Sequence, residues 1–126
     1  MTPQEAMDRI DVLLSHVWMV RTFVKHSEEA EEDDELRGIP RALYDYCLAL
    51  GPAFEARDAE KYLRQAHKKF AKLRRAVADF TEIQPDVSDH TNFKMAVRSL
   101  SDAVEEIGRV LQQVRPGGST ASGGES

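Results

Sequence analysis

The 126 residues fall in the range of one domain with a single core, and 41% hydrophobic with 31% charged residues excludes wholesale disorder. The net charge is −5 and Cys47 is the only cysteine, so intramolecular disulfides and cysteine-cluster metal sites are excluded and a cytoplasmic, reducing setting is expected. No apolar stretch reaches the roughly 18 residues of a membrane span, and the N-terminus lacks the basic and apolar segments of a leader, so neither spanning nor secretion is expected.

The first predicted helix begins near Thr2. Its hydroxyl caps the backbone amides, Pro3 takes the first helical position, and Glu5 completes a Thr-x-x-Glu capping box. Ala6, Ile10, Leu13, Val17, Val20 and Val24 then recur at alternating fours and threes, the pattern of a seam facing partner helices. The acidic run from Glu28 to Glu35, broken only by Ala30, is read as a solvated connection, because like charges four apart repel. The second helix is expected around Gly38-Ile39-Pro40, carrying Ile39, Leu43, Tyr46 and Leu50, with Gly51-Pro52 kinking or ending it.

A third helix is predicted from about Asp58, with Leu63, Ala66, Phe70, Leu73, Val77 and Phe80 on one face. Pro85, Asp86, Ser88 and Asp89 mark a reversal between Thr81 and His90. The fourth helix carries Phe93, Val97, Leu100, Val104, Ile107, Leu111 and Val114 and stops at Pro116-Gly117-Gly118. The expectation is therefore an all-α chain, an antiparallel up-down-up-down four-helix bundle over residues 1–115 with a flexible, disordered Gly/Ser tail over 116–126.

Two surfaces stand out. Val12, Met19 and Phe23, with His16 between them, form a second apolar stripe on the first helix, centred roughly 110° from the seam at 100° per residue. One account is a helix buried more deeply than its neighbours, or a few tolerated apolar residues at the surface. The account preferred here is a homo-oligomer or protein-partner interface, with Trp18, Met19 and Phe23 as anchors beside Val12 and His16, since aromatics and Met are enriched at such contacts.

On the third helix, Arg57, Lys61, Arg64, Lys68, Lys72 and Arg75 fall within an arc of about 80° opposite the Leu63/Phe70/Val77 seam, over roughly 27 Å. Residues 57–75 hold eight Lys/Arg against two acids, whereas residues 1–35 hold three against ten. Such a stripe supplies salt-sensitive, sequence-independent affinity for nucleic acid, or else is an ordinary solvated face, or one that attracts the acidic run of the same or a neighbouring subunit. No aromatic side chains interleave with the cations to stack single-stranded bases.

Catalytic constellations are sparse. The residues three before His16, His26, His67 and His90 are Leu13, Phe23, Arg64 and Val87, so no Glu-x-x-His pair exists, and His-x-x-x-His is absent as well. No metal or other cofactor is expected, and no glycine-rich phosphate loop occurs. Arg21 and His26 form an Arg-x4-His spacing that resembles the motif of the HEPN ribonucleases, which are helical bundles. That resemblance implies proton transfer by His26 and phosphate stabilisation by Arg21. In that family the motif usually lies late in the bundle, whereas here it is on the first helix.

A second resemblance covers roughly residues 70 to 114. Lys72-Leu73-Arg74-Arg75-Ala76-Val77 and Glu105-Glu106-Ile107-Gly108-Arg109-Val110-Leu111 are similar to the four-helix-bundle family of ribosomal intervening-sequence proteins and the diversity-generating retroelement accessory protein. It implies a small oligomeric bundle and, from the accessory protein, binding of nucleic acid through basic surfaces. This chain is acidic overall, with its cations concentrated on one helix. The preferred expectation is a non-enzymatic oligomeric interaction or scaffold protein; accessory nucleic-acid binding comes second and an RNase third.

Overall fold

The computed structural model describes residues 1–114, so the expected Gly/Ser tail lies outside the described residues. These residues are all-α: five helices, α1 (Pro3–Lys25), α2 (Glu28–Glu32), α3 (Asp34–Glu55), α4 (Ala59–Val87) and α5 (Thr91–Gln113), with no strand among them.

α1 starts as its capping box requires. The Thr2 hydroxyl accepts from the Glu5 amide at 3.0 Å, and the Glu5 carboxylate accepts from the Thr2 amide at 2.8 Å. These hydrogen bonds hold the Glu5 carboxyl below its ordinary range. All six seam residues from Ala6 to Val24 are buried, together with Met7 and Leu14 on the flank.

The acidic run is not a solvated connection. Ser27 caps α2 by accepting from the Ala30 amide at 3.2 Å, and Ala30 is buried. Repulsion between exposed carboxylates is offset because Glu28, Glu29 and Glu31 occupy a first turn, where the helix dipole favours negative charge. Asp33 then ends α2 and caps α3, accepting from the Leu36 amide at 2.9 Å. The second expected helix therefore begins at Asp34, well before Gly38, and Pro40 lies inside it.

α3 also runs through Gly51-Pro52 to Glu55 instead of ending there. Pro52 is exposed, so solvent can satisfy the carbonyl that its missing amide leaves free. The end itself is closed by Arg57, the one non-glycine residue with positive φ (53°) among those described. Its amide donates to the Phe54 carbonyl and the Asp58 amide to the Ala53 carbonyl, the paired bonds of a Schellman motif in which Arg57 stands where glycine is usual.

Asp58 caps α4, which passes Thr81 and Pro85 before stopping at Ser88, so the expected reversal is confined to Ser88–His90. The side-chain amide of buried Gln84 donates to the Ser88 carbonyl at 2.7 Å and fixes this end. His90 caps α5 through Nδ1, which accepts from the Asn92 amide at 3.0 Å.

α1 packs against α3 and α5, α4 packs against the same two, and α1 also meets α4 across the core. Neighbours run in opposite senses. Along α1 and α5, Arg9 meets Glu106, His16 meets Ser99 and Phe23 meets Phe93. Along α3 and α4, Phe54 meets Tyr62 and the Tyr46 hydroxyl donates to the Ala66 carbonyl at 3.0 Å. Between α4 and α5, a β-carbon at Gly108 would lie 3.0 Å from the Phe70 ring, so glycine permits close packing there. Tyr62, Phe80, Met7, Ile10, Leu43, Leu100 and Ile107 are among the largest wholly buried side chains.

Candidate interaction surfaces

The second stripe of α1 divides. Val12 and Met19 are exposed at 59% and 65%, and Trp18 at 42%. Phe23 is instead half-buried, its ring 5.0 Å from that of Phe93 on α5. His16 is exposed, with Nδ1 3.3 Å from the Ser99 hydroxyl. The wide apolar arc of α1 therefore has two origins. Phe23 belongs to the internal packing of a helix that touches all four others, while Val12 and Met19 remain facing solvent and Trp18 is exposed along one edge, its ring 6.0 Å from that of Tyr44 on α3.

A shallow groove beside these residues is lined by Asp11, Leu14, Ser15, Trp18, Met19 and Cys47. Burial pushes the Cys47 thiol up to about 11, so it is protonated and a poor nucleophile or metal ligand near neutrality. Burial also raises the Asp11 carboxyl, opposed by a hydrogen bond at 3.1 Å from the Tyr62 hydroxyl. The Tyr62 phenol is pushed up in turn by its own burial and then by the adjoining Asp11 charge. The Asp11–Tyr62 hydrogen bond ties α1 to α4.

The cationic stripe is carried by five of its six expected members. Lys61, Arg64, Lys68, Lys72 and Arg75 are exposed on α4, and none forms an ion pair among the described residues. Arg57 departs from the row: it lies in the connection before α4, stacks over Phe54 with its guanidinium carbon 5.1 Å from the ring centre, and pairs with Asp8 of α1 at 3.1 Å. Lys72 and Arg75 also border a groove with Glu35, Asp79 and Glu82, so one end of the stripe has carboxylates nearby.

Arg21 and His26 do not share a face. Five residues at 100° each place them about 140° apart around the helix. His26 is the exposed cap of α1, whereas Arg21 is half-buried, with its guanidinium carbon 4.4 Å from the Trp18 ring centre and 5.1 Å from that of Tyr44. The Arg21 Nε is buried without a hydrogen-bond partner, an arrangement that costs about 1–3 kcal/mol in general.

Around Arg21 the structure assembles a group that the sequence reading did not single out. Arg21, Lys25, Arg37 and Arg41 line one groove with Ala30, Pro40 and Tyr44. The readable signal was two basic pairs at i,i+4, Arg21/Lys25 and Arg37/Arg41. Their convergence depends on α1 lying beside α3, which local spacing does not encode.

No group of three or more His, Cys, Asp or Glu able to hold a metal ion occurs among the described residues. No helix among them is long and apolar enough to cross a membrane. No family model, curated protein or solved structure matches the chain.

Proposed function

We propose that the chain is a non-enzymatic interaction or scaffold module whose four long helices form an up-down-up-down bundle, and that a second copy covers the outer face of α1. The observation behind this reading is the exposure of Val12, Trp18 and Met19 on one helix whose remaining apolar residues are used in packing. Aromatic and Met side chains of this kind are the usual anchors of protein contacts. His16 sits at the border of the face and Phe23 supports it from within. A cytoplasmic location accords with the lone, partly buried thiol.

Light scattering over a range of protein concentrations tests the reading. A mass rising above one chain, and reduced by Met19→Asp, is expected; a strict monomer overturns it.

A second reading is favoured by one specific observation, the five stripe cations of α4 that form no ion pair among the described residues. They would give accessory nucleic-acid binding of the kind implied by the retroelement-accessory resemblance. Its affinity would fall with salt at a log–log slope of up to about −4.5 for duplex DNA, and a Lys68→Gln/Lys72→Gln variant would flatten that slope by about 2. Absence of binding at low ionic strength eliminates this reading. The RNase reading has least support, because Arg21 and His26 point to different sides of α1.

A further inference from the structure

We propose that the groove between α1 and α3 lined by Arg21, Lys25, Arg37, Arg41 and Tyr44 binds the phosphate group of a small phosphorylated molecule. Its volume, about 400 Å³, falls within the range of small-molecule sites. Four cations line it and no carboxylate does, in a chain of net charge −5.

Like charges converge on this groove. Arg21 and Lys25 are like charges at i,i+4 on α1, Arg37 and Arg41 are the same on α3, and both pairs border one groove. Arg37 pairs with exposed Asp34 and Arg41 with exposed Asp45, neither of which lines the groove, while Arg21 and Lys25 form no ion pair among the described residues. The Arg21 guanidinium is held in place over Trp18 and Tyr44, and its buried Nε still lacks a partner. A planar donor fixed in this way matches a phosphate better than a mobile lysine does.

The size of the ligand follows from the surroundings. Ala30, Pro40 and Tyr44 supply an apolar wall that suits the organic portion of a small ester. α2 contributes only Ala30 to the groove, yet Glu28, Glu29, Glu31 and Glu32 share that five-residue helix with Ala30, and this local negative charge disfavours an extended polyanion. A compact phosphorylated molecule therefore fits, and a nucleic-acid backbone does not.

Calorimetric titration of the full chain at low ionic strength, with inorganic phosphate and with phenyl phosphate as probes, tests this site. One-to-one binding of at least one probe is expected, weakened at least tenfold by Lys25→Gln/Arg41→Gln and left within twofold by Lys68→Gln/Lys72→Gln. Tighter binding of phenyl phosphate assigns the site to phosphate esters, and equal binding assigns it to free phosphate. Both targeted side chains are exposed, so the fold is expected to survive; Arg41→Gln alone provides a milder variant, expected to weaken binding at least threefold. Failure of both probes to bind overturns the proposal, as does equal weakening by the α1/α3 and α4 substitutions. Neither result touches the self-association reading, which depends on Met19.

Discussion

Replacing Phe23 and Met19 separately by alanine distinguishes the residue that holds the fold from the one that faces a partner. Phe23 is half-buried against Phe93, with ring centres 5.0 Å apart. A fully buried Phe→Ala change costs about 3–5 kcal/mol, so half burial together with loss of the aromatic pair gives about 2–3 kcal/mol. For a domain of this size that is roughly a 10 °C fall in melting temperature. Met19 is 65% exposed and contributes little to the isolated fold, so Met19→Ala is expected to stay within about 0.5 kcal/mol. Urea unfolding followed by circular dichroism at one low protein concentration measures both, and a Phe23/Phe93 double-mutant cycle is expected to return about 0.5–1.5 kcal/mol of coupling. Equal costs for the two single variants, or a Phe23→Ala cost below about 0.5 kcal/mol, would refute the division of the stripe.

Burial raises the Asp11 carboxyl above its ordinary value of 3.8, so the folded state binds that proton more tightly than the unfolded chain does. Stability from this group is therefore full below pH 3.8 and lost as pH rises through the folded value; Asp11→Asn is expected to gain relative stability over that rise in a pH series of urea melts, and an opposite trend would count against it. With its thiol raised from 9.0 to about 11, Cys47 is expected to react with iodoacetamide near pH 8 roughly tenfold more slowly in the folded chain than in urea. Gly38 lies exposed within α3, and a β-carbon there meets nothing within 4 Å, so Gly38→Ala is expected to stabilise the chain by about 0.5–1 kcal/mol in the same melts.

The long helices were legible because their signals are local. The Thr2/Glu5 box and the fours-and-threes seam of α1 need no knowledge of neighbours, and every residue of that seam is buried. The misread boundaries came from giving one local effect too much weight. In the acidic run, repulsion obscured two cap residues, Ser27 and Asp33, whose hydrogen bonds start α2 and α3. Local proline geometry predicts helix edges at Pro40 and Pro85 and a kink or end at Pro52, yet α3 and α4 continue past all three; Pro40 itself is buried.

The surfaces were harder to read, because they depend on which helices become neighbours. Phe23 and Met19 share a stripe in sequence, and only the approach of Phe93 separates them. Arg57 fits the angular arc of the α4 cations, yet a left-handed backbone and Asp8 draw it away. The Arg21/Lys25 and Arg37/Arg41 pairs become one basic groove only when α1 and α3 are brought side by side.

The most direct test of the self-association account is the solution mass of the wild-type chain measured by light scattering across a wide concentration range, beside Met19→Asp. Covering the exposed 65% of Met19 is worth about 1–2 kcal/mol, and placing a carboxylate there adds a desolvation cost, so the variant is expected to associate at least tenfold more weakly. A wild-type mass that climbs above one chain while that of Met19→Asp lags behind is the result predicted. A wild-type chain that remains monomeric at every concentration would contradict it.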